Sequence, residues 1–218
     1  MMSTTTRPPL TRDKVLTTAV ELADRIGADA LTMRKLADEL DVKAMSLYHH
    51  VANKEAILDG MVDVVFAEID PPPVDLPWRE AMAHRCRSAR QVLRRHPWAT
   101  PLMESRTSPG PATLGHHDAV LACLIGGGLP MALVAHAYAV LDAFVYGFAI
   151  QEASLPFDGS EDLADFADEL IAPIAEHYPH LAAFTAQHVV QPDYDFGDSF
   201  EVGLAMILDG LAAAATRT

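Results

Sequence analysis

The sequence has little of what most function classes need. Two cysteines in 218 residues, Cys86 and Cys123, are too few for a disulfide framework and lack metal-ligand spacing. They fit a reducing cytoplasm. The amino-terminal run MMSTTTRPPLTRDK has no apolar stretch of signal-peptide type. Strand-type alternation is nearly absent, which argues against β and α/β architectures. No G-x-S-x-G elbow, P-loop or HExxH is present, so the chain is not expected to be an enzyme. Gly126-Gly127-Gly128 has no following Lys-Ser/Thr and reads as a loop. Ten histidines are present, but nothing sets a base, a nucleophile and an orienting group together. His116-His117-Asp118 is a poor chelate, because neighbouring helical residues point about 100° apart; no metal or cofactor is expected. Positive charge is scarce, with 16 Lys and Arg against 30 Asp and Glu, a net of −14. Taken alone, that balance argues against a polyanionic partner.

Half the chain is hydrophobic, enough for a substantial core. Nearly every segment carries helical periodicity. Val15, Ala19, Leu22, Ala23 and Ile26 form one stripe, with Thr11 as N-cap and Gly27 as stop. Thr32 caps a short helix carrying Leu36, Ala37 and Leu40, and Asp41-Val42 breaks it. A third helix is expected over roughly 43–50, with Leu47 and Val51 inward, and Asn53 caps a fourth. The run DPPPVDLP (70–77) ends that helix. Further helices are expected near 78–95, 97–105, 111–125, 129–151, 161–176, 179–189 and 197–215. GSEDLADFADEL (159–170) reads as a solvated acidic face. Residues 129–150, LPMALVAHAYAVLDAFVYGFAI, are long enough to span a bilayer. His136 and Asp142 lie inside the run and no basic anchors flank it, so a helix buried on all sides within an assembly is expected, and no membrane partner.

Charge is unevenly placed. Residues 1–60 hold eight Lys and Arg against nine acids, and residues 61–218 hold eight Arg against 21 acids. All four Lys lie in the first sixty positions. Two jobs are implied. In the near-neutral part, two short helices around a tight break are the elements of a helix-turn-helix. Its second helix must present residues not used for packing. With Leu47 and Val51 inward, Lys43, Ala44, Met45, Ser46, Tyr48, His49 and His50 remain outside, able to contact base edges or thymine methyls. Arg34 and Lys35 start the preceding helix and Lys54 starts the following one, where a phosphate also meets unpaired N–H groups.

From Val15 to about Met61 the chain resembles the tetracycline repressor family of bacterial transcription regulators, most strongly in LTMRKLADELDVKAMSLYHHVANKEAIL. The resemblance implies that Arg34 contacts base or phosphate and that Lys43, Ala44, Met45 and Ser46 face the groove. Tyr48, His50 and Lys54 would hold the DNA backbone, with His49 at the groove floor or rim. Two departures stand out: Asp41 replaces the usual turn glycine, and Ala44 and Met45 replace a polar residue and a proline. The operator therefore does not carry over from the tetracycline repressor. Looser likeness to the same class continues through HPWATPLMESRTSPGP (96–111), GGLP (127–130) and DFGDSFEVGLAMILDGL (195–211). It implies an effector pocket in each subunit and a four-helix bundle that pairs two subunits. In rough alignment the histidine that ligates the magnesium of bound tetracycline falls at Glu104, so tetracycline is not the expected effector.

The expectation is an all-α protein. A helix-turn-helix DNA-binding domain over 1–54 would join a helical effector-binding and dimerisation domain over 55–218. A small-molecule effector would release it, as a cytoplasmic homodimeric repressor, from operator DNA. Trp98, Met103, Leu121, Tyr138 and Phe148 are candidate pocket walls, with Arg85, Glu104 and His117 as polar groups. Val202, Ala205, Met206 and Leu208 are candidate interface residues on EVGLAMILDGLAAAA (201–215), where small residues allow close approach. The alternative is a ligand-binding or sequestering protein whose helix-turn-helix no longer reads DNA.

Overall fold

A computed structural model describes residues 9–155, 171, 173, 175–191 and 193–217. Among them are ten α-helices and no strand. The first four are α1 (Arg12–Ile26), α2 (Met33–Glu39), α3 (Ala44–Leu47) and α4 (Lys54–Glu68). Their ends follow local side-chain chemistry. The Thr11 hydroxyl accepts from the Lys14 N–H at 3.2 Å, Thr32 accepts from Lys35 at 3.2 Å, and the Asn53 side chain accepts from Ala56 at 2.8 Å. Asp41 closes α2 at φ 51°. The Val42 N–H reaches back to the Ala37 carbonyl at 2.9 Å and the Asp41 N–H to Asp38 at 3.1 Å. Asp41 thus takes the left-handed conformation that the family glycine takes more cheaply. Helix α3 is only four residues long, shorter than the expected 43–50. Tyr48 to His50 continue as tight turns, with the His50 and Val51 N–H groups both bonding to Leu47 at 2.9 and 3.0 Å.

The rest comprises α5 (Trp78–Arg95), α6 (Ala99–Ser105), α7 (Pro111–Gly126), α8 (Met131–Ala153), α9 (Pro179–Phe184) and α10 (Asp198–Ala215). Helix α9 runs into a π-turn over Thr185–Val189. The acidic stretch 159–170 lies outside the described residues, as does most of the helix expected over 161–176.

Two apolar clusters organise the chain. The first joins α1 to α4 through Leu16, Ala19, Leu36, Leu47, Val51, Ile57 and Met61. The second packs α5, α7, α8 and α10 through Met82, Cys86, Leu124, Leu141, Val145, Phe200 and Leu204. Burying each large apolar side chain contributes about 1.5–3 kcal/mol. Helix α4 belongs to both: Ile57, Leu58 and Met61 enter the first cluster, and Val62, Val65 and Phe66 the second. Gly60 lets α1 approach closely, since a Cβ there would lie 2.6 Å from Leu16.

Helix α8 is apolar and long enough to cross a membrane, and it buries seven residues, among them Val134, Leu141 and Val145. It is not buried on all sides within one chain: Met131, Val140 and Ile150 are exposed. Leu208, expected at the subunit interface, lies in the second cluster at 1 % exposure. It is four residues past Leu204 and three before Leu211, on the buried stripe of α10. Val202, Ala205 and Met206 face outward.

Candidate functional site

Two surfaces carry the candidate residues. At the first, Leu47 and Val51 are buried and anchor α3 against the first cluster. Arg34, Lys43, Met45, Tyr48 and His49 are exposed, while Ala44, Ser46, His50 and Lys54 are half-buried. Arg34 lies in the first turn of α2, Lys43 is the N-cap of α3 and Lys54 opens α4. Among the described residues no carboxylate pairs with any of these three, whereas every arginine from Arg79 to Arg106 does so. Lys35 instead donates to the Ala30 carbonyl at 2.9 Å.

The second is a cavity of about 510 Å³ between α4, α6, α7 and α8. Phe66, Met103, Glu104, His117, Tyr138 and Tyr146 line it, with Asp142 and two small residues, Ala139 and Ala143. The Tyr138 hydroxyl and His117 Nδ1 share a hydrogen bond of 2.6 Å. Arg85 does not line the cavity; it is fully buried behind it, with Nη1 2.7 Å from Asp142 Oδ1. That contact is ionic rather than a well-aligned hydrogen bond, since Nη1, Nη2 and Oδ1 have no hydrogen-bond partner. Burial opposes the Arg85 charge, but Asp142, with smaller contributions from Tyr146 and Cys86, more than offsets this and its pKa rises. Arg85 Nε donates to His116 Nε2 at 3.0 Å. Burial, then the Arg85 charge, push the His116 pKa down to about 3, so the ring is a neutral acceptor. Burial also lowers the His117 pKa. The adjacent histidines therefore have separate tasks, His116 within the support and His117 at the wall.

Of the expected pocket residues, Met103, Glu104, His117 and Tyr138 meet at this cavity. The others do not line it. Leu121 lies on the exposed side of α7. The Trp98 indole N–H donates to Asp24 Oδ1 at 2.6 Å, tying the second half of the chain to α1. Phe148 stacks on Phe196 at 4.8 Å between ring centroids and meets Phe200, toward α10. Sequence reasoning missed Phe66, Ala139, Asp142, Ala143 and Tyr146. A signal existed: Tyr138, Asp142 and Tyr146 recur every four residues, on one face of α8. Two other depressions are present. One of about 740 Å³ borders Val202 and Met206, and one of about 490 Å³ lies between Pro72, Trp78 and Cys123.

Three polar ties hold α4 to the cavity's helices and their neighbours. Arg106, two residues after Glu104, donates to Asp59 Oδ1 at 2.6 Å and Glu55 Oε2 at 2.7 Å. Asp63 accepts from the Thr113 N–H at 2.8 Å and hydroxyl at 3.0 Å, at the start of α7. His96 bridges Asp24 of α1 at 2.7 Å and Glu68 of α4 at 3.2 Å.

Comparison with known proteins agrees with this architecture. Residues 15–61 match the model of bacterial regulatory proteins of the tetR family, and residues 71–215 match the tetracyclin repressor-like C-terminal domain. An HTH-type transcriptional regulator of Saccharopolyspora erythraea is 37 % identical, over 96 % of this chain and 88 % of its own. The TetR family protein ActR of Streptomyces coelicolor, solved in complex with actinorhodin, is similar at TM-score 0.77 and 31 % identity, covering 95 % of this chain and 99 % of ActR. BioQ, solved with its double-stranded DNA operator, gives TM-score 0.66 at 25 % identity, covering 94 % of this chain and 99 % of BioQ. The chain belongs to the tetR family of bacterial regulatory proteins, and is a DNA-binding transcription regulator rather than an enzyme.

Proposed function

We propose that the protein is a cytoplasmic, homodimeric repressor whose hold on operator DNA is weakened when a small molecule fills the cavity between α4, α6, α7 and α8. One observation carries this reading. Helix α4 contributes Phe66 to the cavity wall and, twelve residues earlier in its first turn, Lys54 to the reading surface. A molecule that displaces Phe66 or α6 therefore acts on a rod that reaches the DNA side. Arg106 adds a second route, since it ties the end of α6 to Glu55 and Asp59 beside Lys54. The effector shifts the equilibrium only by its different affinities for the two positions of α4. That ActR is solved with actinorhodin and BioQ with its operator supports both halves of the reading.

On the DNA side, Lys43, Ala44, Met45 and Ser46 enter the major groove with His49. Arg34, Tyr48, His50 and Lys54 hold the backbone. A dimer presents two such heads about 34 Å apart, or a related distance. Its interface uses the outward Val202, Ala205 and Met206 of α10 with the exposed Met131, Val140 and Ile150 of α8.

The test is a gel-shift titration with the DNA flanking the protein's own gene, repeated over a range of salt. Wild type is expected to shift a discrete fragment, and Lys54→Ala to weaken every complex and reduce the salt slope by about 0.9. Wild-type protein that shows no preference for any such fragment refutes the repressor reading. An unchanged slope removes Lys54 from the backbone contacts.

A further inference from the structure

The effector's charge class is legible in the cavity, provided that the cavity is the effector site. Its polar lining consists of Glu104, His117, Tyr138, Asp142 and Tyr146, with no lysine or arginine. Two neighbouring arginines are both engaged. Arg85 has no exposed surface and lies behind Asp142, and Arg106 is held by Glu55 and Asp59. Burial keeps His117 neutral, so it does not balance the carboxylates. Asp142 is compensated from behind by Arg85, whereas Glu104 has no cationic partner among the described residues. The same wall is also aromatic. Phe66 and His117 have ring centroids 5.2 Å apart, and His117 and Tyr138 5.7 Å apart. An incoming anion meets two carboxylates before it can reach Arg85. A planar cation meets π-faces and a carboxylate together.

We propose that this cavity binds an aromatic cation, a planar ring system bearing a protonated amine or amidine, with the rings on Phe66, His117 and Tyr138 and the positive group at Glu104. The small Ala139 and Ala143 on α8 leave room for the ring system.

The probes are proflavine, a three-ring aromatic cation, and 9-anthracenecarboxylate, an anion of similar size, titrated by fluorescence against the full chain. Wild type, Glu104→Gln and Ala143→Trp are compared. Wild type is expected to bind proflavine at least about tenfold more tightly than the anion. Glu104→Gln, at an exposed side chain that leaves the fold intact, is expected to weaken proflavine by about tenfold and to narrow the gap between the probes. Ala143→Trp, which fills the cavity, is expected to abolish binding of both. If the anion binds wild type as tightly as proflavine and Ala143→Trp blocks both, the charge assignment is overturned while the cavity reading stands. Proflavine affinity unchanged in Glu104→Gln, or no proflavine binding at about 1 mM, also overturns the assignment. If Ala143→Trp binds proflavine like wild type, the site is elsewhere and both readings fail.

Discussion

Gly110→Ala is a single added methyl group whose cost can be worked out from the contacts around it. Gly110 is the N-cap of α7 at φ −84°, ψ 178°, an extended conformation that alanine adopts without strain. The obstacle is steric: a Cβ there collides with the Asp63 carboxylate of α4. Asp63 is a short side chain and relieves the clash by rotating away. It then loses the Thr113 N–H and hydroxyl, two hydrogen bonds to a carboxylate that together cap α7. Hydrogen bonds to charged groups contribute about 1.5–3 kcal/mol each, and a lost cap costs about 0.5–2 kcal/mol by a partly overlapping count. The expected loss is about 2–3 kcal/mol, or roughly 5–10 °C in midpoint for a chain of this size. Thermal unfolding followed by near-UV circular dichroism measures it. The decisive control is the cycle with Asp63→Ala. Once the carboxylate is gone, Gly110→Ala should cost only about 0.5 kcal/mol, the ordinary difference between the two residues at a cap. If Gly110→Ala costs the same in both backgrounds, Asp63 does not tie α4 to α7.

Three further outcomes are expected. Asp41→Gly relieves the left-handed backbone at φ 51° and should raise the midpoint by roughly 2–4 °C, for a gain of about 1 kcal/mol; a lower midpoint refutes it. His116 is depressed from 6.5 to about 3 in the fold, so the unfolded chain binds the extra proton between those values. Its contribution to stability is full above pH 6.5 and lost as pH falls toward 3. His116→Gln keeps an acceptor for Arg85, so its midpoint should fall less steeply with acid than that of wild type; parallel slopes refute the assignment. Ala205→Glu places a charge on the outward face of α10 and should yield monomers; a dimer by light scattering puts the interface elsewhere.

The helical scaffold was readable because its signals are local. Thr11, Thr32 and Asn53 each accept from an N–H three residues on, a relation visible in the sequence itself. The outward face proposed to read DNA was legible as a face for a similar reason: Leu47 and Val51 are buried on one side, so their neighbours occupy the other. The length of α3 was less legible, because turns at Tyr48 to His50 use the same residue types as a helical turn. The cavity was harder, since an apolar side chain does not state which partner it faces. Tyr146 and Phe148 are two residues apart on α8, about 200° around the axis, and point to opposite sides. Tyr146 lines the cavity and Phe148 packs toward α10. Choosing Phe148 and passing over Tyr146 was a choice between faces that only tertiary packing settles. Leu208 failed the same way against Ala205 and Met206.

Asp142 shows how one residue can carry two meanings at different levels. In the sequence it counted against a bilayer span, because a carboxylate in hydrocarbon is costly. In the fold that cost is offset by Arg85, and Arg85 is in turn held by a histidine kept neutral by burial. Removing Asp142 would leave a fully buried guanidinium without its counter-ion, so its loss would unfold the chain before it reported on ligand binding. Glu104 has no such partner among the described residues and stands on the exposed end of α6. On the proposed reading of the cavity, one of its two carboxylates is structural and the other selects the ligand, so selection among effectors would change at position 104 without cost to the core.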